Sequence, residues 1–119
     1  NTVWIADEAQ MDGVTAISGS GPAYVFLFIE ALQQAAAELG FTPEQGRQLA
    51  IETVQGAAAL AAASDEPASL LRERVTSKGG TTAAALDAMA AHGVKDGIVA
   101  GCLAAEARGR ELGKLLGGE

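Results

Sequence analysis

Gly97-Ile98-Val99-Ala100-Gly101-Cys102-Leu103-Ala104-Ala105-Glu106-Ala107-Arg108-Gly109-Arg110-Glu111-Leu112-Gly113 is the stretch on which the fold turns. Its pattern predicts a single helix from about Val94 to Leu116. Gly97, Gly101, Ala105, Gly109 and Gly113 recur every four residues along it. A glycine inside a helix costs about 1 kcal/mol relative to alanine, so four of them need a reason. A row of small residues lets a second helix approach closely, a steric logic best documented in membranes but general. The alternative is that the glycines are merely tolerated in an alanine-rich sequence. Gly56-Ala57 and Ala61-Ala62-Ala63 show the same economy, and aromatic residues make up only 4% of the chain. The core this implies is one of thin, tightly packed helices without large interlocking side chains.

Working outward, the pattern is helical almost throughout. Asp7 is placed to cap a first short helix that runs to about Ile17, with Glu8 in its first turn, and Ser18-Gly19-Ser20-Gly21 breaks it. Pro22 then stands where proline is tolerated, at the first position of a new helix. That helix is expected to reach about Leu39 and stop at Gly40. Val25, Ile29, Leu32, Ala36 and Leu39 share one face of it, and Ala23 to Ile29 is apolar nearly all round, which implies burial on more than one side. Thr42-Pro43-Glu44-Gln45 has the form of a capping box, opening a helix through Leu49, Ile51, Val54 and Leu60 to about Ala63. Ser64-Asp65-Glu66-Pro67 ends it and starts a short helix containing Leu70, Leu71 and Val75. A helix from about Thr81 to Ala91 stops at Gly93, and Gly117-Gly118-Glu119 frays after the last helix. The fold class is therefore all-α, a bundle of about five to six helices. Helices apolar on two faces in a chain of 119 residues point to an intertwined homodimer, twofold by default.

Composition narrows the functional classes. A formal net charge of −7 argues against a nucleic-acid or anionic-membrane surface, which needs a basic patch. Cys102 is the only cysteine and His92 the only histidine, so neither a disulfide framework nor a metal-ligand spacing exists. No secretory signal is visible, and no apolar run approaches the length of a membrane span. The chain begins at Asn1, and Thr2-Val3-Trp4-Ile5 reads like the tail of a β-strand with no partner after it. Residues 1–6 are accordingly expected to be the residual strand of a longer protein, with residues 7–119 forming the helical domain.

Two glycine-bearing turns carry the candidate chemistry. In Val75-Thr76-Ser77-Lys78-Gly79-Gly80-Thr81-Thr82, paired glycines sit between small hydroxyl residues directly before a helix. The first N–H groups of a helix lack partners and carry partial positive charge, so such a turn suits a carboxylate or a phosphate. Thr81 or Thr82 acting only as a helix cap is the simpler alternative. Ser18-Gly19-Ser20-Gly21-Pro22-Ala23 is not a dinucleotide fingerprint, since no strand leads into it and no βαβ unit surrounds it. It reads as a second tight turn into a helix N-terminus, either approaching a ligand or serving as a hinge. No nucleophile–base pair is present, and His92 beside Gly93 suits a helix end. Asp65 and Glu66 read as helix-end residues, the alternative being that one faces the glycine loop a dozen residues on. Cys102 reads as a core residue, and Arg108 with Glu111 as an ion pair.

Asp12-Gly13-Val14-Thr15-Ala16-Ile17-Ser18-Gly19-Ser20-Gly21-Pro22-Ala23-Tyr24, followed by Val75 to Leu86 and by Ala107-Arg108-Gly109-Arg110-Glu111-Leu112, resembles the C-terminal domain of pyrroline-5-carboxylate reductase. The resemblance covers essentially the whole chain. It implies a cytoplasmic enzyme of proline biosynthesis that passes hydride from NADPH or NADH to the C=N carbon of 1-pyrroline-5-carboxylate, giving L-proline. It implies an N-terminal Rossmann domain that binds the cofactor, none being held by the residues here, so that this chain alone turns nothing over. It further implies an interleaved homodimer able to assemble into larger rings, with no nucleic-acid or membrane partner. Carried over by position, Ser77, Gly79, Gly80, Thr81 and Thr82 form the substrate loop, and Thr82 is the catalytic residue that hydrogen-bonds the ring nitrogen. Apart from the resemblance, the tight turn at Ser20, Gly21 and Pro22 is the candidate second loop, with a structural hinge as its alternative. Lys78 stands where many relatives have proline, Arg74 where asparagine is common, and Asp65 where some carry a longer glutamate. A purely structural dimerisation module, or a reductase of a different cyclic imine, are the competing readings.

Overall fold

The structure, a computed structural model, describes residues 10–117. The expected strand at residues 2–5, the Asp7 cap and the fraying of residues 118–119 lie outside the described residues. Helix follows helix throughout: α1 (Met11–Val14), a π-helical turn (Thr15–Gly19), α2 (Gly21–Glu38), α3 (Pro43–Ala63), α4 (Ala68–Arg74), α5 (Thr81–Ala91) and α6 (Val94–Gly117). Among the described residues there is no strand, as the all-α reading requires. The chain divides into two compact units, one drawn from Asn1–Val25 with Gly93–Glu119 and the other formed by Phe26–His92.

In the first unit α1 and the π turn pack on α6. The Ser20 N–H donates to the Thr15 carbonyl at 2.8 Å, five residues back, which is the mark of a π turn. Ser18 Oγ donates to the Val14 carbonyl at 3.0 Å and the Tyr24 hydroxyl to the Ala16 carbonyl at 2.7 Å. Ala16 is buried at their centre. The break expected at Ser18–Gly21 is thus corrected: a widened turn absorbs the extra residue and the chain stays helical. A second correction follows from it. With the π turn joining what the sequence divides, Met11–Glu38 is one helical stretch long and apolar enough, by length and composition, to cross a membrane. On α6, a Cβ added at Gly109 would stand 3.1 Å from Asp12 Oδ1, whereas at Gly97, Gly101 and Gly113 it would meet nothing within 4 Å.

The second unit is built on the hairpin of α2 and α3. Gly40, with φ +96°, lets the Phe41 N–H reach the Ala36 carbonyl and the Gly40 N–H the Ala37 carbonyl, at 3.0 and 3.1 Å. This paired closure satisfies the last carbonyls of α2. Thr42 then caps α3: the Gln45 N–H donates to Thr42 Oγ1 at 3.2 Å, and the Thr42 N–H to Gln45 Oε1 at 3.0 Å. Both ends of α3 fall where the sequence puts them. The helices meet at Gly46, where an added Cβ would lie 3.2 Å from Ala36 Cβ, and Ala36, Gly46 and Ala50 are buried together.

Among the described residues the buried hydrophobic ones are alanines: Ala16, Ala36 and Ala50. Large apolar side chains remain outside, Phe26 at 62%, Leu27 at 67% and Leu103 at 65% exposure. Of the face predicted for α2, Ala36 is buried and Ile29 and Leu32 are half-buried, while Val25 and Leu39 are exposed. A periodic apolar face reports that something covers it, not that the same chain does.

Candidate functional site

The turn between α4 and α5 is held by backbone chemistry. Thr76 closes α4 on both sides, its N–H donating to the Glu73 carbonyl at 3.0 Å and its Oγ1 to the Arg72 carbonyl at 2.6 Å. Four residues later the Gly80 N–H donates back to the Ser77 carbonyl at 3.0 Å. Gly79 has φ +74°, so Ser77-Lys78-Gly79-Gly80 has the features of a type II turn with glycine at its third position. Gly80 is required for a different reason: a Cβ there would lie 3.2 Å from the Ser77 carbonyl oxygen and 3.3 Å from Ser77 Cβ. Two adjacent glycines therefore do separate jobs, one conformational and one steric.

Gly80 is also the N-cap of α5, in extended conformation and with no side-chain cap hydrogen bond. Its carbonyl accepts the Ala84 N–H at 3.1 Å. The N–H groups of Thr81, Thr82 and Ala83 precede that first helical bond and have no intrahelical partner by geometry. The simple cap reading of Thr81 and Thr82 is thereby corrected: both lie inside the helix, because Gly80 occupies the cap position. They are the first two residues of the helix, with Thr82 half-buried and Thr81 and Ser77 exposed. Ser77, Gly79, Gly80, Thr81 and Thr82 are brought together in one turn, around donors suited to a small anion.

The second expected loop, Ser20, Gly21 and Pro22, lies in the other unit. It forms the junction between the π turn and α2, where the Ser20 carbonyl accepts the Ala23 N–H at 3.0 Å. Sequence reasoning did not single out the Tyr24 hydroxyl that braces this junction. Nor did it find the ion pair beside the glycine turn, in which Arg74 forks onto both oxygens of Glu66. Opposite charges eight residues apart are not neighbours on a helix surface by the usual spacings, so no periodic signal marks them. The expected partners on α6 do meet, Arg108 pairing with Glu111, and Arg110 adds a bond to Glu106 at 3.0 Å. His92 caps α5 and its Nδ1 lies 2.9 Å from the Ala88 carbonyl, a helix-end role. Asp65 is exposed and Cys102 half-buried.

One further opening is apolar. Ala57, Leu60 and Ala61 of α3 with Leu71 of α4 and the following Val75 line a groove of about 790 Å³. Among the described residues no group of three or more histidine, cysteine, aspartate or glutamate side chains is placed to hold a metal ion.

Comparison with known proteins gives a consistent result. A family described as pyrroline-5-carboxylate reductase dimerisation matches residues 8–112. The pyrroline-5-carboxylate reductase of Pseudomonas aeruginosa is 44% identical over 115 residues, covering 97% of this chain and 42% of the relative. That of Pisum sativum is 39% identical over 110 residues, covering 92% of this chain and 40% of the relative. The solved pyrroline-5-carboxylate reductase of Coxiella burnetii superposes with a TM-score of 0.89 at 41% identity, over 92% of this chain and 41% of that one. The NADP-bound pyrroline carboxylate reductase of Plasmodium falciparum superposes with a TM-score of 0.87 at 36% identity, over 90% and 41%. The chain thus spans about two fifths of the length of these relatives.

Proposed function

This chain belongs to the pyrroline-5-carboxylate reductase dimerisation family, and from that premise we propose that it forms the dimerisation and substrate-holding part of an enzyme reducing 1-pyrroline-5-carboxylate to L-proline. The observation that carries the reading is the turn Ser77–Gly80 opening onto the N-terminus of α5, whose cap is a glycine with no side chain to fill it. The substrate carboxylate is held by the N–H groups and hydroxyls of Ser77, Gly79, Gly80, Thr81 and Thr82. Thr82 hydrogen-bonds the ring nitrogen as the imine becomes an amine. A cyclic imine is readily protonated, so the site needs placement and preorganised donors more than a strong side-chain acid. Ser20, Gly21 and Pro22 are kept as a second ligand-binding loop in the reading, on sequence alone.

The hydride comes from NADPH or NADH in the complete enzyme. The described residues do not fit that cofactor: there is no strand among them, and Ser18-Gly19-Ser20-Gly21 lies at a helix-to-helix junction, where the fingerprint turn needs a strand before it. Cofactor binding is assigned to a Rossmann domain outside this chain, the chain by itself being inactive, and the enzyme to the cytoplasm.

The partner we assign is a second copy of the chain, which covers its exposed apolar faces, with larger rings built from such dimers. Exposed Phe26, Leu27 and Leu103 and the groove along α3 and α4 support this. The apolar stretch Met11–Glu38 is assigned to the same interface and not to a bilayer, because it contains the acidic residues Asp12, Glu30 and Glu38, which are costly in hydrocarbon. No nucleic-acid partner is assigned to so acidic a chain.

In the full-length enzyme Thr82→Ala is expected to lower turnover on the order of 10²-fold, the scale of one lost preorganised donor, with an unchanged melting temperature. Wild-type turnover in that variant removes Thr82 from the mechanism. Turnover of other cyclic imines at equal efficiency points to a reductase of different ring size.

A further inference from the structure

The fork between Arg74 and Glu66 has no place in the chemistry above, yet it sits at the root of the glycine turn. We propose that Arg74 is a positioning residue, held by Glu66 so that the turn presents its donors at the right place for the substrate carboxylate. The proposal rests on the reading of Ser77–Thr82 as the substrate loop.

The helix between the paired residues is short. α4 spans Ala68–Arg74, has no buried residue, and begins at Pro67 without a side-chain cap. So short a helix has little stability of its own. Val75, which follows it, is 66% exposed. Packing within the chain therefore gives the turn little anchorage at this end, and polar contacts supply it.

Those contacts form a continuous line. The Ser64 N–H donates to the Ala61 carbonyl at 3.3 Å, tying Ser64 to the end of α3. Ser64 Oγ accepts the Glu66 N–H at 3.0 Å. Glu66 Oε1 and Oε2 accept Arg74 Nη1 and Nη2 respectively. Glu66 stands just before α4 and Arg74 is its last residue, so the fork ties the two ends of α4 together. Thr76 then bonds to the carbonyls of Arg72 and Glu73, and Ser77 begins the turn. The long helix α3 is thus linked by bonds to the residue three before Ser77.

Two features separate positioning from simple stabilisation. Within this chain both side chains are substantially exposed, 56% for Arg74 and 38% for Glu66, and a pair exposed to that degree contributes little to the stability of the chain's own fold. A two-pronged guanidinium–carboxylate contact does fix geometry, which a lysine ammonium cannot reproduce. The loss of the fork should therefore appear as weaker substrate capture and a looser turn, with the fold intact.

The test uses the full-length enzyme with Arg74→Gln, Arg74→Lys, Glu66→Gln and the exchanged pair Glu66→Arg/Arg74→Glu. Steady-state kinetics with 1-pyrroline-5-carboxylate are measured beside amide hydrogen exchange of the ligand-free enzyme. The three single variants are expected to raise KM several-fold with kcat within about twofold and an unchanged melting temperature, while the exchanged pair recovers part of the loss. Exchange is expected to quicken across residues 75–82 and to stay unaltered in α3. A wild-type KM in Arg74→Gln overturns the proposal, as does a raised KM with unaltered exchange in the turn. Failure of the substrate-loop reading looks different: Thr82→Ala keeps wild-type turnover, or the wild-type enzyme does not reduce this imine. Exchange then still decides whether the fork holds the turn.

Discussion

Gly79 and Lys78 show how the glycine turn is made and where it is unfinished. Gly79 holds φ +74°, a conformation in which a Cβ costs about 1–2 kcal/mol. Lys78 occupies the second position of the turn, where proline is favoured because its ring presets φ near −65°. Lys78→Pro is therefore expected to raise stability by about 0.4–1 kcal/mol, chiefly by restricting the unfolded chain. Gly79→Ala is expected to lower it by a comparable or larger amount. Chemical denaturation at matched protein concentration reads both, and a lower midpoint for Lys78→Pro would show that Lys78 does not have the backbone conformation of this turn. The sequence reveals a glycine turn before a helix but leaves open whether the threonines cap it. That choice depends on which residue takes the cap position, a register of one that residue types alone do not set. The roles proposed for the individual residues come from resemblance to a known family, since spacing alone does not assign them.

Among the helices, the boundaries were the most legible feature, because they are written in local chemistry. Thr42, Pro43 and Gln45 spell a cap for α3, while Gly40 and Gly93 mark stops at φ +96° and +66°. The π turn was not legible, since a bond reaching five residues back has no motif beyond the same Gly–Ser cluster that suggests a break. The glycine row of α6 is legible, yet among the described residues only its Gly109 meets a neighbour, the Asp12 carboxylate. The contact that needs glycine in the α2–α3 hairpin, Gly46 against Ala36, belongs to no row, so no periodic signal marks it. These two kinds of glycine should respond differently to substitution. Gly46→Leu forces a side chain into the hairpin and is expected to lower the melting temperature at every protein concentration. At Gly101 an added Cβ meets nothing within 4 Å among the described residues, so the expected effect of Gly101→Leu is weaker self-association, seen by sedimentation and as a melting temperature that falls most at low concentration. An unchanged dimer and melting temperature in Gly101→Leu would remove the close-contact role of that residue.

For the whole molecule, the all-helical architecture was legible and the burial was not. Apolar periodicity in α2 and α3 is real, but Leu39, Leu49 and Leu60 remain exposed in the chain. Their faces are written for a covering that the sequence does not identify, and the membership of a dimerisation family is what directs them to a second copy. The same division explains the site: the turn at Ser77–Thr82 forms within one unit and can be assessed by itself. Amide NMR of this chain, titrated with L-proline and with a non-reactive ring-carboxylate analogue, tests its role most directly. Saturable shifts centred on Ser77 to Thr82 are expected. Spectra that stay flat at those residues while the chain remains folded would contradict a preformed carboxylate cradle and leave the domain as an assembly module.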